Sequence, residues 1–175
     1  MKNRVIQILI IAVLLIGVGF VIYQNVSSSM EVIREGKEAP DFTLESLAGE
    51  PIKLSDLRGK GVLINFWATT CESCLNEMPA IQRVYDRYKD QGLEVLGINT
   101  GEGPVAVSGY VNRLKVNFPI LMDREYEVTD LYQTGPLPRS LFISPDGKVK
   151  LIYLGEMNEE MIEASVKEIL PRSGS

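Results

Sequence analysis

One junction constrains this chain more than any other feature. Gly61-Val62-Leu63-Ile64-Asn65-Phe66, a mostly apolar and β-prone run, leads through Trp67-Ala68-Thr69-Thr70 into Cys71-Glu72-Ser73-Cys74. The run has the composition of a buried strand. Beyond it, Leu75, Met78, Ile81, Val84, Tyr85 and Tyr88 recur at the spacing of an amphipathic helix. The two cysteines, the only ones among 175 residues, therefore fall at a strand-to-helix turn. Cys71 is expected near the helix N-terminus and Cys74 one turn further in.

That position has chemical consequences. The unpaired backbone N–H groups and partial positive charge of a helix N-terminus favour a thiolate over a thiol. Cys74, three residues on, shares the helical face and can attack a mixed disulfide formed on Cys71. A C-x-x-C in a β-α setting is a redox signature; the competing reading is two core cysteines spaced so by accident.

Composition narrows the alternatives. A hydrophobic content of 45% with 23% charged residues predicts a packed core. The net charge is −5, and all 23 acidic residues lie beyond Met30. An acidic domain without a basic stripe argues against nucleic acid as a partner. The chain has no histidine, which excludes Ser-His and Cys-His catalysis and any metal site needing imidazole.

At the amino terminus, Lys2 and Arg4 precede Val5–Tyr23, whose only strongly polar member is Gln7. As a helix this segment would span about 28 Å, close to the ~30 Å hydrocarbon core of a bilayer. No basic residue follows until Arg34, so the positive-inside rule puts residues 1–4 in the cytoplasm and the domain outside. The alternative is a cleaved signal peptide with a small-residue site around Val26–Ser28. Against it, the run exceeds the usual h-region of ~7–15 residues and no A-x-A-like site follows. Residues 24–37, with Ser27-Ser28-Ser29, read as a tether, and 38–171 as the domain.

Within the domain, Ala39–Leu44 and Pro51–Leu54 flank a hairpin turn at Ala48-Gly49-Glu50, and Ser55–Gly59 suggests one helical turn. The cysteine helix should run to about Lys89, kinked at Pro79. Then follow a strand over Leu93–Asn99, a helix over Pro104–Lys115, a strand over Phe118–Met122 and a helix over Glu125–Tyr132. Leu141–Ser144 and Val149–Tyr153 bracket the turn Pro145-Asp146-Gly147, and Met157–Leu170 closes as a helix. This alternation predicts an α/β domain, a mixed sheet flanked by helices.

Taken together, Ala39-Pro40-Asp41-Phe42, Asn65-Phe66-Trp67-Ala68, Cys71-Glu72-Ser73-Cys74, Asn76-Glu77-Met78-Pro79, Phe118-Pro119 and Leu137-Pro138 ahead of Leu141-Phe142-Ile143 resemble one family. It is the ResA-like group within the TlpA-like extracytoplasmic thiol-disulfide oxidoreductases, and the resemblance covers approximately Glu38 to Leu170. It implies a thioredoxin-like fold with an N-terminal β-hairpin extension and a central insertion, preceded by one transmembrane helix.

The resemblance also implies roles. Cys71 matches the exposed attacking cysteine and Cys74 the buried resolving one. Pro138 matches a cis-proline facing the disulfide, although sequence alone leaves a trans loop proline equally open. Leu137, Trp67, Glu72 and Ser73 belong to the active-site shell; a purely structural core aromatic is the alternative for Trp67. Thioredoxins proper carry a buried aspartate where Asn65 stands, and an amide cannot exchange a proton. Glu77 is expected to act instead, taking the proton of Cys74; the alternative is a solvated helix glutamate. Neither cofactor nor metal is expected.

Thr70, Glu72-Ser73 and Arg139-Ser140 depart from common family residues, and each lies where redox potential is tuned. The implied function is a reductant of substrate disulfides, such as the haem-binding cysteines of apocytochrome c, recharged by a membrane thiol carrier of the CcdA type. Other envelope or spore-assembly disulfides are alternative substrates. Ala39–Phe42 also occurs in peroxiredoxins, but their P-x-x-x-T-x-x-C pattern would need proline at 64 and threonine at 68, where Ile64 and Ala68 stand. A thiolate carrier of copper or zinc is a further rival; the related copper carriers also use a histidine, and structural zinc needs four ligands.

Overall fold

A computed structural model describes residues 32–171, together with Gly17. The expected membrane span over 5–23 and the cytoplasmic residues 1–4 lie outside the described residues. Among the described residues no helix is long and apolar enough to cross a membrane.

The folded unit begins at Ile33, earlier than the expected domain start at 38. Ile33 is buried, the Gly36 amide donates to Val149 O at 2.7 Å, and Lys37 O accepts from the Val149 amide at 2.9 Å. The end of the expected tether is thus paired into the domain. Strands β1 (Thr43–Glu45) and β2 (Pro51–Lys53) form the expected hairpin, followed by a 3-10 turn at Leu54–Leu57.

Strand β3 (Gly61–Trp67) is buried at every position, as its apolar run requires. It leads into α1 (Glu72–Tyr88), and Pro79 lies inside that helix without dividing it. The remaining elements are β4 (Leu93–Thr100), α2 (Pro104–Leu114), β5 (Ile120–Asp123), α3 (Glu127–Leu131), β6 (Arg139–Ile143), β7 (Val149–Leu154) and α4 (Glu159–Ile169). The main sheet has the order β5-β4-β3-β6-β7. β3, β4 and β5 run parallel, whereas β6 and β7 are antiparallel additions. Strand β5 forms the sheet edge on which the hairpin rests, with the Leu47 amide donating to Ile120 O at 2.7 Å.

Because side chains alternate across a strand, β3 serves two cores. Leu63 and Trp67 join Met78, Ile81 and Val84 of α1 and Ile162, Val166 and Ile169 of α4. Val62, Ile64 and Phe66 pack on the opposite face with Phe42, Leu44, Val128 and Tyr132.

Several boundaries differ from the sequence expectation for local reasons. Helix α2 stops at Leu114 because Lys115 turns left-handed, with φ 54°. β5 starts only at Ile120, since Pro119 has no N–H to give a ladder. α3 starts at Glu127, after a left-handed Tyr126, and the Asp123 carboxylate accepts from the Val128 and Thr129 amides at its entrance. β6 begins at Arg139 rather than Leu141, pairing Arg139 with Phe66 and Ser140 with Asn65.

Candidate active site

The site lies where β3 ends and α1 begins. Cys71 is the N-cap of α1, in extended backbone (φ −95°, ψ 100°), and its sulfur accepts the Cys74 amide at 3.2 Å. An N-cap side chain satisfies one of the free N–H groups of the first turn. Cys71 and Cys74 are joined as a disulfide, with S–S 2.02 Å and Cα–Cα 5.3 Å. Cys74 is 0% exposed, whereas Cys71 keeps part of its surface. Of the two sulfurs, a substrate can reach Cys71.

The shell residues are arranged unevenly. Ser73 Oγ lies 3.5 Å from Cys71 Sγ and is the donor there, since a disulfide sulfur carries no proton. Glu72 is exposed and Ser73 half-buried in the first helical turn. Trp67 is wholly buried, in the cluster that also holds Cys74 and Met78. The Leu137–Pro138 peptide is cis, and Pro138 O accepts the Gly155 amide at 2.9 Å. Leu137 is half-buried and packs on the cluster against which Cys71 also rests.

Glu77 points inward, one turn beyond Cys74, and is 1% exposed. Its Oε1 accepts from Asn65 Nδ2 at 2.7 Å and its Oε2 from the Met157 amide at 2.9 Å. Burial pushes its carboxyl up to about 7, opposed by those two hydrogen bonds and reinforced by the nearby charge of Glu156. The alternative of a solvated helix glutamate is excluded by this burial.

The sequence did not point to Glu102, nor to the contacts that Ser140 and Arg139 make. Glu102, just beyond β4, accepts from the Thr69 amide at 2.7 Å, from Thr69 Oγ1 at 2.5 Å and from Asn99 Nδ2 at 2.7 Å. It thereby ties the end of β4 to the loop that presents Cys71. The available signal was topological: the C-terminal end of a strand parallel to β3 must lie beside the cysteine loop. Ser140 was noted only as a departure, yet its Oγ accepts from Asn65 Nδ2 at 3.0 Å. Arg139 donates to Gln133 O, and to Thr134 O at 3.1 Å, stapling the loop that precedes the cis-proline; burial lowers its basicity.

Comparison with known proteins agrees with this geometry. Residues 35–152 match the AhpC/TSA family. The chain is 42% identical to the thiol-disulfide oxidoreductase ResA of Bacillus subtilis (strain 168) over 162 residues, 93% of this chain and 90% of that one. It is 41% identical to ResA of Geobacillus kaustophilus (strain HTA426) over 170 residues, 97% of this chain and 98% of that one. Among solved structures, a thioredoxin-family thiol:disulfide interchange protein from Chlorobium tepidum TLS superimposes with a TM-score of 0.71 at 25% identity. That match covers 78% of this chain and 97% of the other. With a C-x-x-C disulfide at the mouth of a thioredoxin-like sheet, this chain belongs to the AhpC/TSA family and, within it, to the ResA-type thiol-disulfide oxidoreductases.

Proposed function

We propose that this protein works as a reductant on the outer side of the cytoplasmic membrane, anchored by Val5–Tyr23. The reductant direction rests on the family resemblance, and the observation that carries the chemistry is Glu77, a buried carboxyl one turn beyond Cys74 whose ionisation lies near neutrality. An acid of that strength can take a proton from a thiol at neutral pH and return it.

In the proposed cycle, the Cys71 thiolate attacks one sulfur of a substrate disulfide. The substrate S–S bond breaks, a mixed disulfide forms, and the first substrate thiolate leaves. Cys74 gives its proton to Glu77 and attacks Cys71 Sγ. The Cys71–Cys74 bond forms as the mixed disulfide breaks, releasing the second substrate thiolate. Two electrons have then passed to the substrate, leaving the protein oxidised. A membrane dithiol carrier of the CcdA type restores the dithiol. Glu72, Ser73 and the backbone at Leu137–Pro138 border the approach to Cys71, and an extended segment can pair beside the cis-proline.

The family resemblance supports the haem-binding cysteines of apocytochrome c as substrate. A peroxidase has no comparable support: Ile64, where that pattern needs proline, is 0% exposed in the core of the sheet. The substrate is tested with Cys74→Ser in the membrane-bound protein, which holds the mixed disulfide. Recovery of c-type apocytochromes on Cys71 is expected; recovery of other envelope proteins alone would overturn that assignment.

A further inference from the structure

The hydrogen bonds of Asn65 are lopsided. Asn65 is 0% exposed on β3, and both protons of its amide are in use, one on Glu77 Oε1 and one on Ser140 Oγ. Its carbonyl oxygen, equally buried, has no partner among the described residues. An unpaired buried acceptor costs stability, and an apolar side chain at this position of the core would avoid it.

An amide differs from a carboxylate or a hydrocarbon in one relevant way: it offers a donor at one end and an acceptor at the other. An ionised Glu77 needs a donor, and the Asn65 NH2 supplies it. A protonated Glu77 carries an O–H that needs an acceptor, and half a turn of the amide would bring Oδ1 to it. Ser140 sits opposite Asn65 in the β3–β6 ladder, and its hydroxyl can follow, accepting from NH2 in one state and donating to Oδ1 in the other. In the turned-over amide Oδ1 serves the acid and Ser140, and the NH2 takes the place where Oδ1 is now without a partner.

We propose that Asn65, backed by Ser140, is a positioning residue that serves both protonation states of Glu77 by turning its amide over as Glu77 gains or loses the Cys74 proton. Asn65 exchanges no proton itself; the proton moves between Cys74 and Glu77, and the amide keeps the carboxyl in one place throughout. This rests on Glu77 being the proton acceptor. From the loop before α4, Glu77 is also met by the Met157 amide and the charge of Glu156, and the Cys71–Cys74 pair precedes it by one turn at the start of α1.

The test uses the full chain carrying a mixed disulfide on Cys71 and follows single-turnover release of the substrate thiol against pH. Comparisons are Glu77→Gln, Asn65→Leu, Ser140→Ala and Ser140→Thr. The wild type should show a limb that falls toward acid, and Glu77→Gln should abolish it. Asn65→Leu should move its midpoint up by about one pH unit, reflecting the lost donor to the carboxylate, and lower the plateau about tenfold. Ser140→Ala should move it the same way by less, and Ser140→Thr, which keeps the hydroxyl, should restore it. The side-chain NH2 resonances of Asn65 should titrate with the Glu77 midpoint in wild type and stay fixed in Glu77→Gln. If Glu77→Gln removes the limb while the Asn65 and Ser140 variants leave it unmoved, this inference falls and the proton-acceptor role stands. If Glu77→Gln leaves the limb intact, both fall. Should Asn65→Leu not fold, the contrast of Ser140→Ala with Ser140→Thr decides.

Discussion

The Met157 amide donates to Glu77 Oε2 at 2.9 Å, joining residues 80 apart in sequence. The bond ties the loop entering α4 to the helix that carries both cysteines. Helix α4 then starts at Glu159 because Asn158, in extended backbone, caps it by accepting the Met161 amide.

Glu77 makes stability depend on pH in a defined direction. Its carboxyl, raised from an ordinary 4.5 to about 7, favours the protonated form in the folded oxidised protein. Its contribution is therefore fully present below about pH 4.5 and is lost as pH rises through about 7. The total is roughly 3 kcal/mol at ~1.4 kcal/mol per unit. Urea unfolding of oxidised wild type and Glu77→Gln from pH 4.5 to 8.5 should show their stability difference shifting in favour of the variant by about that amount.

The unequal exposure of the cysteines predicts unequal variants. Cys71→Ser should lose disulfide reduction altogether, since Cys74 is buried and cannot meet a substrate. Cys74→Ser should still attack and should accumulate mixed disulfides, because nothing resolves them. Non-reducing gels of the two variants after incubation with a disulfide-bonded protein distinguish these outcomes.

Glu102 fixes the loop before Cys71 through three hydrogen bonds to a carboxylate. Such bonds are worth about 1.5–3 kcal/mol each. Glu102→Ala should speed hydrogen exchange at the Thr69 amide by roughly ten- to a hundredfold, with the α4 amides unchanged.

Strand β3 touches α4 at Gly61, where an added Cβ would lie 2.4 Å from Ile169 O. The neighbour is backbone, so it cannot swing aside. Gly61→Ala should destabilise the domain by about 1–3 kcal/mol in denaturant unfolding, as overpacking does, while the Cys71–Cys74 couple still forms.

The apolar β3 run, the periodic faces of α1 and α4 and the Pro145–Gly147 turn were legible because each is a local pattern. The place of Cys71 near the helix N-terminus, with Cys74 one turn further in, followed from spacing, while the burial of Cys74 came through the family resemblance. The cis geometry at Pro138 and the burial of Glu77 came only through the family resemblance, since a glutamate on a helix looks the same in sequence whether it faces solvent or core. Ser140, Glu102 and the Met157 amide were hidden for another reason. Each acts through a partner 33 to 80 residues away, and only the strand order brings those partners together. Arg139 and Ser140 concealed the start of β6 because they break its apolar pattern.

The reduction potential of the Cys71–Cys74 couple, measured in glutathione and dithiothreitol redox buffers, tests the reductant assignment most directly. A reductant should show a value near that of thioredoxin, about −270 mV, or lower. A value near that of the oxidase DsbA, about −120 mV, would contradict it and make the protein a donor of disulfides.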